Sequence, residues 1–271
     1  MAIRRLGFWR RLAVVIVLPM LKVMTKRTWH GQANLPTSGG VILVANHASH
    51  FDPLVVSHFL YDIGRWPRFL AKASLWKVPV LGPFLVKVKQ VPVERGSVEA
   101  VKSLDALLAA LADEGTVVIY PEGTTSKEPD LWPMRGKTGA ARLALRTDTP
   151  VIPLAQWGAY QIYDSRTKKI SLRPRRTVSA IAGPPLDLSK WRGQEPTKQV
   201  LDEITEHIML TIRDLLSQIR EGDAPPLYQP SARRPVAPAT EPPPSAGSGA
   251  ATESAAPAGT KTTTEPPAVA E

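Results

Sequence analysis

The sequence predicts an α/β fold: a single domain with a largely parallel central sheet flanked by helices, preceded by an N-terminal interfacial helix and followed by a disordered C-terminal tail. Three observations carry this. Short β-branched apolar runs alternate with helix-length runs, and the stretches between successive strands read as crossovers rather than two-residue turns. A chain of 271 residues with 43% hydrophobic content can also bury the core of one domain of about 200 residues.

Taken in order, residues 1–30 read as a basic amphipathic membrane-interface segment. Arg4, Arg5, Arg10 and Arg11 precede an apolar run over 12–21, which Lys22 closes. As a helix that run spans about 15 Å, half of a bilayer core. No small-residue cleavage site precedes Lys22, so an uncleaved helix lying in the headgroup boundary is expected rather than a signal peptide. The domain proper is expected over 31–222, with strands at 41–45, 69–71, 90–93, 116–120, 151–155 and 178–182 and helices at 54–61, 98–112, 138–146 and 197–220. The remainder, 223–271, is rich in Pro, Ala and Thr and poor in large apolar residues, the composition of a disordered tail.

Composition excludes some chemistry. The chain has no cysteine, which rules out disulfides, thiolate metal sites and a cysteinyl acyl intermediate. A net charge of +10 points to an anionic partner without separating membrane surface, nucleic acid and phosphorylated substrate.

The run VILVANHASHFDP, 41–53, is the most informative stretch. A buried strand ends in Asn46-His47, and the carboxylate of Asp52 follows five residues after the histidine. In a continuous helix that spacing leaves two side chains roughly 140° apart, so they meet only if the chain bends between them. Ser49, Asp52 and Pro53 are helix-opening residues and supply the bend. His47 then stands at the mouth of a strand-to-helix turn, where ligands bind in open α/β sheets. A neutral imidazole held by a carboxylate takes a proton from a hydroxyl near pH 7. The plain alternative is a core histidine beside a helix-capping Asp52.

A second strand runs into Pro121-Glu122-Gly123-Thr124, a turn able to aim a carboxylate at a hydroxyl and amides at an anion; an ordinary strand exit is the alternative. A third strand ends before Glu94-Arg95, whose guanidinium offers a fork for phosphate, against a plain surface arginine. Lys72, in the apolar context 69–73, must find an anion or snorkel out. Arg135 and Lys137 add charge to the same mouth or form a solvated rim.

Read together and in order, Asn46-His47-x4-Asp52, Val91-Pro92-Val93-Glu94-Arg95, Tyr120-Pro121-Glu122-Gly123-Thr124 and Val151-Ile152-Pro153-Leu154 resemble the four blocks of the glycerolipid acyltransferases, in particular the 1-acylglycerol-3-phosphate acyltransferases. The resemblance implies transfer of a fatty acyl group from acyl-CoA or acyl carrier protein, as co-substrate and with no cofactor, to the free hydroxyl of a lysophospholipid. It also implies that His47 is general base and Asp52 its orienter, that Arg95 and Lys72 bind phosphate, and that Glu122, Gly123 and Thr124 belong to the acceptor site, with Lys137 near the pocket. Thr125 stands where many lysophosphatidate enzymes carry arginine, and Glu94 where aspartate is usual. The expected place is the cytoplasmic face of the cell membrane, against an anionic surface.

Two other classes compete. His47, His50, Asp52 and His58 could form the ligand set of a metal-dependent hydrolase, but their spacing is looser than familiar clusters, and no metal is expected. A non-catalytic basic binding protein is the other, acting on membrane or nucleic acid. The basic stretch 166–176 lacks the aromatic residues that single-strand binding uses, so no nucleic-acid partner is expected.

Overall fold

The computed structural model describes residues 7–93 and 99–230. The chain opens with α1 (Phe8–Met24) and continues through β1 (Thr25–His30), β2 (Val41–Ala45), α2 (Asp52–Asp62), β3 (Pro67–Lys72), α3 (Leu81–Lys87), β4 (Val91–Val93), α4 (Glu99–Ala112) and β5 (Thr116–Ile119). Then come α5 (Gly139–Leu145), β6 (Val151–Trp157), the two short strands β7 (Tyr163–Asp164) and β8 (Lys169–Ile170), β9 (Arg176–Ala182) and α6 (Lys198–Arg220).

Seven strands form the main sheet in the order β1-β9-β6-β2-β5-β3-β4. Every neighbouring pair is parallel except β6 with β9. The order follows from composition. β2, β5 and most of β6 are apolar on both faces and fully buried, as strands covered by helices on each side must be. Alternation along β2 then sorts the core. Ile42 and Val44 face α4, α5 and α6, packing with Leu111, Leu143, Ile204 and Ile208, whereas Val41, Leu43 and Ala45 face α2, packing with Val56, Phe59 and Leu60. Since β2 and β5 run parallel with Val44 opposite Ile119, their carboxyl ends stop side by side. The loops that follow them meet at one rim of the sheet.

Two expected boundaries are corrected. Residues 25–30 are a sheet strand and not part of a membrane segment, because β1 pairs with β9 along its whole length. Its sequence, TKRTWH, carries the charge and the exposure of an edge strand, and so lacks the apolar alternation that marks interior strands. The tail also begins later than 223: the Arg135 amide donates to the Tyr228 carbonyl at 2.9 Å, and Leu227 packs on the main core. Residues 231–271 lie outside the described residues. α3 was not expected; its seven residues include Gly82 and Pro83, which mask a helical pattern.

Candidate active site

The loop leaving β2 is held by one carboxylate. Asp52, in the first turn of α2 and 1% exposed, accepts through a single oxygen, Oδ2, from His47 Nδ1 at 3.0 Å and from the amides of Ala48 and Ser49 at 2.7 and 2.8 Å. Two amides and a ring nitrogen converging on one buried oxygen close the bend that the five-residue spacing requires. Because a carboxylate only accepts, Nδ1 of His47 carries the proton and Nε2 is the basic nitrogen. Pro53 in the first helical turn gives up no hydrogen bond there.

The loop leaving β5 grips the same residue by its main chain. Glu122, 3% exposed, accepts from the His47 amide at 2.7 Å through Oε1 and from the Met134 amide at 3.1 Å through Oε2. The His47 carbonyl accepts from the Ser126 amide at 2.6 Å. Burial pushes the Glu122 carboxyl up to about 8 against the opposing pull of these two amides, and the Asp52 charge adds to the rise. Behind His47, Asn46 ties β2 to β6: its Nδ2 donates to the Gln156 carbonyl, its Oδ1 accepts from the Gln156 amide, and the Gln156 side chain donates back to the Asn46 carbonyl, all at 2.8–3.0 Å. Tyr120 stacks on the His47 ring with centroids 4.2 Å apart and planes 20° apart. Burial, then the Asp52 charge, hold its phenol well above the usual tyrosine range, so it stays neutral.

Beside the imidazole lies an apolar cavity of about 400 Å³. Val14, Leu18 and Leu21 of α1, Leu54 and Tyr61 of α2, Phe69 of β3 and Phe84 of α3 line it, and His47 and Tyr120 are in its wall. A proton acceptor at the end of a greasy channel suits a substrate whose reacting group terminates a hydrocarbon chain.

The structure brings His47 and Asp52 into contact and sets Glu122 on the His47 backbone, with both oxygens taken by amides. Gly123 adopts φ +69°, and the Lys137 side chain lies across it: a β-carbon built there would meet Lys137 Nζ at 3.0 Å. Thr124 and Lys137 are exposed. Of the two outcomes open to Lys72, a buried anion or an outward side chain, the structure shows the second. This lysine is the last residue of β3, where the chain turns into a short 3-10 segment, and its side chain is exposed. Arg95 and Glu94 lie outside the described residues. Tyr120, Asn46 and Gln156 were missed; Asn46 carried a signal, a polar residue closing an apolar strand next to the histidine. Of the metal-ligand set, His58 shares the cavity wall with His47 but its Nε2 accepts from Arg27 at 2.8 Å, and among the described residues no group of three such side chains converges.

Residues 26–157, the span holding His47, Asp52 and Glu122, match the family model named Acyltransferase. A chloroplastic 1-acyl-sn-glycerol-3-phosphate acyltransferase of Brassica napus is 30% identical over 142 residues, 52% of this chain and 40% of that protein. The 1-acyl-sn-glycerol-3-phosphate acyltransferase of Bacillus subtilis is 25% identical over 193 residues, covering 70% and 88%, and an uncharacterized protein of Mycobacterium tuberculosis is 30% identical over 253 residues, covering 82% and 68%. Against the first plant relatives, the matched region spans about two-fifths of their length. The crystal structure of the 1-acyl-sn-glycerophosphate acyltransferase PlsC of Thermotoga maritima shares the fold, with a TM-score of 0.55 at 19% identity over 82% of this chain and 87% of that one. By its matched segment, its fold and the residues that meet at its sheet rim, the chain belongs to the acyltransferase family.

Proposed function

We propose that the protein transfers a fatty acyl group from acyl-CoA or acyl carrier protein to the free hydroxyl of a lysophospholipid, 1-acylglycerol-3-phosphate in the first instance, giving phosphatidic acid. The observation that carries this reading is the His47–Asp52 contact at the wall of an apolar cavity. Nε2 of His47 removes the acceptor hydroxyl proton as the oxygen attacks the thioester carbonyl. The tetrahedral intermediate collapses, the thiolate leaves, and His47 returns the proton to it. The cavity takes the hydrocarbon chain, while the exposed Lys137 and Lys72, with Arg95, supply positive charge for the acceptor phosphate. The named relatives from Brassica and Bacillus favour the same acceptor. The enzyme is read as a peripheral protein of the cytoplasmic membrane surface, and the exposed apolar outer face of α1 supports the membrane contact in that reading.

Positioned general base catalysis is worth 10² to about 10⁴ in rate. Purified protein given labelled acyl donors and a panel of lysophospholipids should therefore make a diacyl product, and His47→Ala should lower kcat by about a thousandfold or more without changing the far-ultraviolet spectrum. Turnover of the His47→Ala protein at the wild-type rate would overturn the mechanism, and product from none of the acceptors would overturn the substrate.

A further inference from the structure

α1 is apolar on two opposite faces. Its inner face lines the cavity, while Phe8, Trp9, Val15, Ile16, Met20 and Val23 on the outer face are 40–70% exposed. A second exposed apolar surface comes from residues 75–86, between β3 and β4. Here Leu75, Val78, Val80, Leu81 and Val86 are all exposed, Val80 to 85%. α1 and α3 pack on each other, and an apolar groove along their seam is lined by Trp9 and Ile16 on one side and Val80 and Leu81 on the other. The two surfaces are continuous.

Val80 is hard to explain in water. It adopts φ +67° with ψ −48°, a positive-φ conformation outside the left-handed helical region that disfavours β-branched side chains, and it is almost fully exposed. Charge within the two segments is one-sided, and the acid that faces them, Asp113 after α4, is paired with Lys89 and Arg68. Residues 1–51 and 63–93 contain no aspartate or glutamate, while Arg10, Arg11, Lys22, Lys26, Lys77 and Lys87 fall within them. Exposed apolar side chains among cations, with no acid in either segment, fit the headgroup boundary of an anionic bilayer.

We propose that residues 75–87 are a second membrane-insertion element, which seats with α1 on an anionic lipid surface. This goes beyond the reading above, which puts α1 alone at the membrane, and its test involves no acyl transfer. The placement has a consequence for access. Ala13, Val17 and Phe84 line both the outer groove and the cavity that reaches His47, so these side chains part the docked surface from the cavity and mark where a lipid chain enters.

The chain has no cysteine, so single labels are clean. Val80→Cys, Ile16→Cys and Leu172→Cys, made in the full chain and each carrying an environment-sensitive fluorophore, would be mixed with vesicles of equal phosphatidylglycerol and phosphatidylcholine. Labels at 80 and 16 should shift to the blue while the label at 172, on another exposed apolar residue, does not. The double variant Val80→Asp, Val86→Asp should bind these vesicles at least tenfold more weakly while melting as the wild type does. The proposal is overturned if the label at 80 stays silent where that at 16 responds, if all three respond alike, or if the double variant binds normally. It is equally overturned if the label at 80 is already shifted without lipid in a chain that sediments as a dimer, which would make the surface a contact between copies.

Discussion

Asp52→Asn separates the charge of the site from its architecture. One oxygen, Oδ2, accepts from His47 Nδ1 and the amides of Ala48 and Ser49, and an asparagine carbonyl in its place keeps all three bonds. Loop, bend and tautomer survive, and one negative charge is lost. That charge stands about 4 Å from the centre of the imidazolium formed during proton transfer, and at an effective dielectric near 20 it is worth about 4 kcal/mol. Rate should therefore fall by about a thousandfold, while the melting temperature moves by no more than about 4 °C. Asp52→Ala behaves differently: it strands two buried amides at about 1–3 kcal/mol each, so stability falls along with the rate. Both variants are read by steady-state release of the free thiol from the acyl donor and by a thermal melt on the same sample. An Asp52→Asn protein that melts normally and turns over within tenfold of wild type would refute the reasoning and leave Asp52 as a strut of the loop.

Glu122→Gln replaces two acceptor oxygens by one, so either the His47 amide or the Met134 amide faces an NH₂ group, and a loss of about 1–3 kcal/mol is expected in urea unfolding. The same variant has a pH signature. Glu122 titrates near 8 in the fold and near 4.5 when unfolded, so its neutral form favours the native state; that contribution is full below pH 4.5 and disappears as pH rises through 8, by at most about 5 kcal/mol. Stability of Glu122→Gln should fall less steeply than wild type between pH 5 and 8, and parallel slopes would mean that the native carboxyl is already ionised. Gly123→Ala forces a β-carbon into φ +69° against Lys137, costing about 1–2 kcal/mol in a thermal melt. With Lys137 displaced, KM for the acceptor should rise more than kcat falls; a change in kcat alone would take Lys137 out of the phosphate site.

Much of this arrangement is legible in the sequence wherever burial is uniform. β2 and β5 were visible because both faces of a central parallel strand are apolar, and the His47–Asp52 contact because only a bend can join side chains five residues apart. β1 was not legible, since an edge strand takes half its pairing from one neighbour and exposes the rest, so TKRTWH shows no period. Glu122 was visible as a carboxylate on a turn, but not its direction. The bonds that turn it inward come from His47 and from Met134, residues 75 and 12 positions away, and no local pattern encodes them. Tyr120 read only as the end of a strand, and its stacking on His47 depends on β2 and β5 lying side by side, which follows from strand order and not from either segment alone.

The two acids around His47 differ by environment and not by kind. Asp52 receives a ring N–H and two amides on one oxygen. Glu122 receives one amide on each oxygen, and burial outweighs those bonds while the Asp52 charge adds to the penalty. Burial thus favours the neutral form of Glu122, a direction that its two amide bonds oppose. In the proposed mechanism Asp52, bonded to Nδ1, stabilises the cation that forms on the imidazole, whereas a charge on Glu122, bonded to the backbone of the same residue, is disfavoured by burial and by Asp52. Glu122 fixes the backbone of His47 through its amide, and the cost of ionising this buried carboxyl as pH rises through about 8 falls on the stability of the native fold.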